Sequence, residues 1–92
     1  MRTATVTLTT ALTRNSKELT DLEIREPSSG ECRGLKLADI MNMDVTTLHV
    51  LLPRITHPPL TKAEAEALTL HDITLCGAEI LGFFEKPATL LA

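Results

Sequence analysis

Aromatic residues are almost missing from this chain: it has no Trp, no Tyr and two Phe, which stand side by side as Phe83 and Phe84. Proteins that stack nucleobases need aromatic platforms spread over a surface. A net charge of -3 and a pI near 5.5 also lack the basic footprint that phosphates require. Nucleic acid is therefore not an expected partner. Cysteine is scarce as well, with Cys32 and Cys76 far apart, no Cys-x-x-Cys and no cysteine-histidine pair at ligand spacing. That usage fits reduced thiols in a cytoplasmic setting, and a disulfide would need the fold to bring the two together. There are four glycines, without a phosphate-cradling loop or a Gly-x-Ser-x-Gly elbow. The longest weakly polar run, Ile73 to Phe84, is too short for a bilayer and contains Glu79, and the first residues alternate instead of forming an apolar block. No membrane or targeting segment is expected.

What remains is an aliphatic chain of 92 residues, 43% hydrophobic and 23% charged. That suits one small domain with a thin core and is too apolar for disorder. Ala4, Val6 and Leu8 alternate with Thr3, Thr5, Thr7 and Thr9, the period of a half-buried strand. Leu22 and Ile24 repeat the alternation until Pro27. Arg14-Asn15-Ser16-Lys17 between them is polar and turn-prone, so residues 1–27 are expected to form a β-hairpin whose apolar face needs cover.

Residues 28–85 read as that cover. Ser28 and Glu31 make a capping box, Gly34 interrupts, and Leu35, Leu37, Ile40, Met41 and Met43 form a short apolar segment. Asp44 caps a helix carrying Val45, Leu48, Leu51, Leu52 and Ile55, which Pro53 is expected to kink or end near Leu52. Thr56-His57-Pro58-Pro59 reads as a rigid connection between helices. Thr61 and Glu64 open another short helix, running to about Leu68, and Thr69 with Asp72 resembles a further capping box. The last helix places Leu70, Ile73, Gly77, Ile80, Leu81 and Phe84 on one broad face, with His71, Asp72, Glu79 and Glu85 expected in water. So apolar a helix is either central or half-reserved for a partner, which makes client contact or self-association expected. Residues 86–92 read as a frayed tail. The fold class is thus α+β, an N-terminal hairpin followed by about four short helices in a single domain.

Chemistry is sparse. His49, His57 and His71 fall in different elements, none with a second ligand three or four residues away, so no metal site is expected. The carboxylates read as helix caps and solvated faces, not as a catalytic pair. No catalytic, cofactor or metal residue is assigned, and enzyme activity is disfavoured. Opposite charges are dense from Arg25 to Lys36. Arg25, Arg33 and Arg54 are either members of local ion pairs or a polar rim around an apolar docking surface.

Several pieces resemble one family in order along the chain: Leu22-Glu23-Ile24-Arg25-Glu26-Pro27, Gly30-Glu31-Cys32-Arg33-Gly34-Leu35-Lys36-Leu37-Ala38-Asp39, Met43-Asp44, and Leu51-Leu52-Pro53-Arg54-Ile55-Thr56 with Pro59-Leu60-Thr61. They are similar to the tail assembly chaperones of contractile-tailed phages, the tail assembly protein E family of P2-like and Mu-like phages. The chain departs from the family pattern in the hairpin turn, where Asn15-Ser16 replaces glycine, and in the last helix, where Cys76-Gly77 replaces a glycine pair and Thr69-Leu70 replaces aspartate-proline. The resemblance implies a non-catalytic late factor of virion morphogenesis in the host cytoplasm. It would bind the tape measure protein, keep it soluble until the tube forms, and be absent from the mature virion. It also implies a tail tube protein contact through a frameshift-extended form. A structural or adaptor component that stays in the particle is the alternative. Helical clients dock an apolar stripe in an apolar groove, and Met41, Met43, Leu81, Phe83 and Phe84 are the candidate anchors, with the competing reading that all five fill the core. Adjacent residues on a helix point about 100° apart. One phenylalanine is therefore expected in the core and the other at the surface.

Overall fold

In the computed structural model, residues 2–85 are described. The hairpin forms as its alternation requires. β1 (Thr3–Arg14) pairs antiparallel with β2 (Lys17–Arg25), and Val6, Leu8, Leu12, Leu22 and Ile24 are buried on one face. Asn15 and Ser16 close it, both with positive φ (51° and 64°), the conformation of a two-residue turn that follows strand twist. The register is broken between Thr7, opposite Asp21, and Leu12, opposite Leu19. β1 therefore carries an irregular bulge over Leu8 to Ala11.

Ser28 and Glu31 form their capping box around a single 3₁₀ turn, Ser29–Cys32. α1 (Leu37–Met41) buries only Ile40, and Met43 follows with φ 56°. α2 (Val45–Ile55) begins on Asp44, whose carboxylate accepts from the Thr47 amide at 3.0 Å. Of the two outcomes expected at Pro53, an early end at Leu52 does not occur: the helix continues to Ile55. A proline inside a helix costs roughly 3 kcal/mol, but Leu51, Leu52 and Ile55 are all essentially inaccessible to water, and their burial holds the last turn.

Thr56 and His57 are more than a connection: they form β3 (Thr56–His57), which pairs antiparallel with β2 and gives the sheet order β1-β2-β3. The buried Thr56 hydroxyl donates to the Leu52 carbonyl at 2.8 Å and accepts from the Leu60 amide at 3.0 Å. It thus joins the end of α2 to the segment beyond the prolines. α3 (Lys62–Ala67) starts on the Thr61–Glu64 capping box. α4 (Leu70–Gly82) packs against β1 and β2 through Ile73, Cys76 and Ile80, completing a core shared with Leu48, Leu51 and Ile55.

Two expectations for α4 fail. Leu70 is 79% exposed, whereas Asp72 is fully buried. The Thr69 hydroxyl accepts from the Asp72 amide at 3.1 Å, as an N-cap does, but the Asp72 side chain does not complete a capping box by taking the Thr69 backbone amide. It turns to the β1 bulge instead, where Oδ1 accepts from the Thr9 amide and hydroxyl and Oδ2 from the Thr10 amide. The frayed tail expected at 86–92 lies outside the described residues.

Candidate functional site

At the C-terminal end of α4, Phe83 and Phe84 diverge. Phe83 is half-buried against the core and Phe84 is 44% exposed. With Ile80 they form one wall of an apolar groove of about 200 Å³, and Pro27, Cys32 and Leu37 form the other. Leu37 is 59% exposed, so the mouth is apolar on both sides. Small-molecule sites usually exceed about 300 Å³. A groove this size suits one or two anchoring side chains of a macromolecule.

Arg2 fixes this end of the helix. Its guanidinium donates to the Phe83 carbonyl at 2.7 Å and the Glu85 carbonyl at 3.0 Å, where a helix end leaves acceptors without partners. It also lies 5.5 Å from the centre of the Phe83 ring, a cation-π distance, and pairs with Glu26 at 3.0 Å. The Glu26 carboxyl is lowered below its usual range, chiefly by the hydrogen bonds from Arg2. Nothing in the sequence pattern marked Arg2, because its partners lie at the other end of the chain.

The other candidates separate. Met41 is 57% exposed on α1 but does not line the groove, and Leu81 is half-buried outside it. Met43 packs into the core, against the space a side chain at Gly77 would fill. Arg25 and Arg54 do not rim the groove: they line a separate, more polar hollow of about 340 Å³ beside β3. There Arg25 forms a bidentate pair with Glu31, 2.5 Å for the Nη1–Oε1 bond, and donates to the Arg54 carbonyl at 3.0 Å. Arg54 donates to the carbonyls of Glu31 and Arg33 at 2.8 and 3.0 Å. Arg25 and Arg54 thus tie the 3₁₀ turn to β2 and α2, while Arg33 supplies only its backbone oxygen. The two hydrogen bonds from Arg25 and the Ser28 amide hold the Glu31 carboxyl down to about 2.

Among the described residues no cluster of His, Cys, Asp or Glu is arranged to hold a metal ion, and no helix is long and apolar enough to cross a membrane. Cys32 and Cys76 are free thiols, and burial pushes Cys76 up to about 11. The site is thus a small apolar groove beside a helix end braced by Arg2.

A family model described as phage tail assembly chaperone proteins, E, or 41 or 14, matches residues 5–85. The chain belongs to this phage tail assembly chaperone family. Two relatives from Escherichia phage P2 agree. Tail assembly protein E is 35% identical over 78 residues, 85% of this chain and 86% of its own length. Tail assembly protein E' is 35% identical over 78 residues, which make up 55% of its length, so E' is the longer of the two. No solved structure matches the chain. The matched region takes in β1 from Thr5 onward, all of β2, the β3 junction, every helix of the described residues and both phenylalanines of the groove.

Proposed function

We propose that this chain works in phage tail assembly as a non-catalytic chaperone of the tape measure protein. It holds that long helical client soluble in the host cytoplasm until tube subunits polymerise around it, and is left out of the finished virion. The observation that carries the reading is the apolar groove between Leu37 and Phe84, open to solvent at the end of a braced helix. An amphipathic client helix would seat apolar side chains there, against a rim that includes Glu26 and Ser28. The existence of a longer relative, E', supports a second product that extends this domain through a frameshift and recruits tube protein.

Co-expression with the tape measure protein of the same phage tests the proposal. The expected result is a rise in soluble tape measure protein and its co-purification with the chain, both reduced by Phe84→Asp and by Leu37→Asp. Unchanged solubility in the presence of the wild-type chain would sink the reading. Mass spectrometry of purified virions separates it from a structural role, since recovery of this chain at tail stoichiometry would favour an adaptor that stays in the particle.

A further inference from the structure

We propose that the outer edge of β1, from Thr3 to Thr7, is an interface for a second copy of this chain, which adds its own β1 antiparallel across a two-fold axis at Thr5.

The hydrogen-bond parity of the hairpin defines the edge. The Glu26 amide donates to the Arg2 carbonyl at 2.7 Å, so Arg2 and Glu26 form a hydrogen-bonded pair. The register continues without a break through Thr3 opposite Arg25, Ala4 opposite Ile24 and on to Thr7 opposite Asp21. Alternation along an antiparallel ladder then directs the backbone groups of Ala4 and Val6 to β2 and those of Thr3, Thr5 and Thr7 outward. All three threonines are exposed, and among the described residues no strand lies on that side.

Other stretches of the sheet margin are protected. The Thr9 and Thr10 amides are taken by Asp72 at 2.9 and 3.2 Å. The opposite edge is a two-residue strand followed by Pro58 and Pro59. Edges are normally guarded by charge, proline, short length or cover. Between Thr3 and Thr7 there is no charge or proline, no element among the described residues covers the stretch, and its residues favour extended backbone.

The edge is complementary to itself, which selects a second copy as its occupant. With the axis at Thr5, Thr3 faces Thr7 of the partner subunit, and each pair exchanges backbone hydrogen bonds while threonine meets threonine on the solvent face. Moving the axis to Thr7 would set Thr5 against an amide that Asp72 already holds, so the Thr5 register is the one that uses the open groups and none of the occupied ones. The two copies of Glu23, beside Thr5, end about 14 Å apart, beyond the ~8 Å screening length of physiological salt.

Sedimentation equilibrium with light scattering on the purified chain tests this, with a dimer expected. Thr5→Pro removes an N–H that points away from β2, a position a strand tolerates, and should weaken dimerisation about tenfold or more with an unchanged circular dichroism spectrum. Thr5→Lys sets like charges together at the axis, and its dimer should weaken at low salt and recover as salt rises. The proposal is overturned if the wild-type chain stays monomeric up to about 1 mM, the weak end of specific association. It is equally overturned if a folded Thr5→Lys chain dimerises like wild type, or if Phe84→Asp alone abolishes the dimer.

Discussion

Asp72 and Thr9, 63 positions apart in the chain, are joined twice: one carboxylate oxygen accepts the Thr9 amide at 2.9 Å and the Thr9 hydroxyl at 2.8 Å. The second oxygen takes the Thr10 amide, so an irregular stretch of β1 has its outward donors satisfied by the first turn of α4. Burial pushes this carboxyl up, and the donors from Thr9, Thr10 and Thr69 outweigh that effect, leaving it below the usual aspartate range. Asp72→Ala strands those donors and should cost about 2–3 kcal/mol in urea unfolding. Asp72→Asn should cost a comparable amount, because its NH₂ group would face an N–H. A loss under about 0.5 kcal/mol in both variants would show that the bulge finds other partners.

The hairpin turn offers the opposite sign. Ser16 sits at φ 64°, a left-handed conformation that costs a non-glycine residue roughly 1 kcal/mol. Ser16→Gly should raise stability by about 0.5–1 kcal/mol, read as a higher melting temperature.

Gly77 faces a tighter limit. A Cβ there would stand 2.4 Å from Met43 Cε and 3.4 Å from Leu48 Cδ1. The methionine methyl is the far end of a flexible chain and can move aside. Gly77→Ala should therefore come out within about 1 kcal/mol of wild type, as the helix-propensity gain offsets the displaced packing. Gly77→Leu cannot be accommodated by that movement and should lose about 2–3 kcal/mol or more. Chemical denaturation of the pair measures the contrast.

Acid should unfold the protein through its bridging glutamates. Both Glu31 and Glu64 are held down to about 2 from an ordinary 4.5, chiefly by hydrogen bonds from Arg25 and Arg14 respectively. A carboxyl depressed in the folded state stabilises above its unfolded pKa and loses that contribution as pH falls towards its folded value. The urea midpoint should be flat from pH 7 to about 5 and fall between about 4.5 and 2. Arg25→Ala should shrink that fall. An unchanged acid limb in this variant would count against the Glu31 bridge.

Local patterns in the sequence made the hairpin, the Ser28, Asp44 and Thr61 caps and the order of the helices legible, because each depends on neighbours within a few residues. Long-range polar partners did not show. Asp72 looks like a solvated capping residue until Thr9 and Thr10 are placed beside it, and Arg2 looks incidental until the end of α4 meets it. Thr56 and His57 become a strand only because β2 presents an open edge to them. At the groove, the adjacent phenylalanines divide between core and surface as expected, but not for the expected reason: α4 ends at Gly82, so both lie in the turn just past the helix. The contribution of Leu37 and Pro27 was not legible, since it arises from the packing of the 3₁₀ turn and α1 near α4. For Met43 the sequence left anchor and core readings open, because the role of filling the space above Gly77 requires knowing which helices cross.

The hydrogen bonds from Arg2 to the Phe83 and Glu85 carbonyls bring residues 2 and 85 together at the groove. A bulky group attached at residue 2 or residue 85 would therefore crowd both the Phe84 mouth and the Thr3–Thr7 edge. The Asn15–Ser16 turn, roughly 40 Å away along a twelve-residue strand, is the place for a label or an inserted epitope that leaves both surfaces clear.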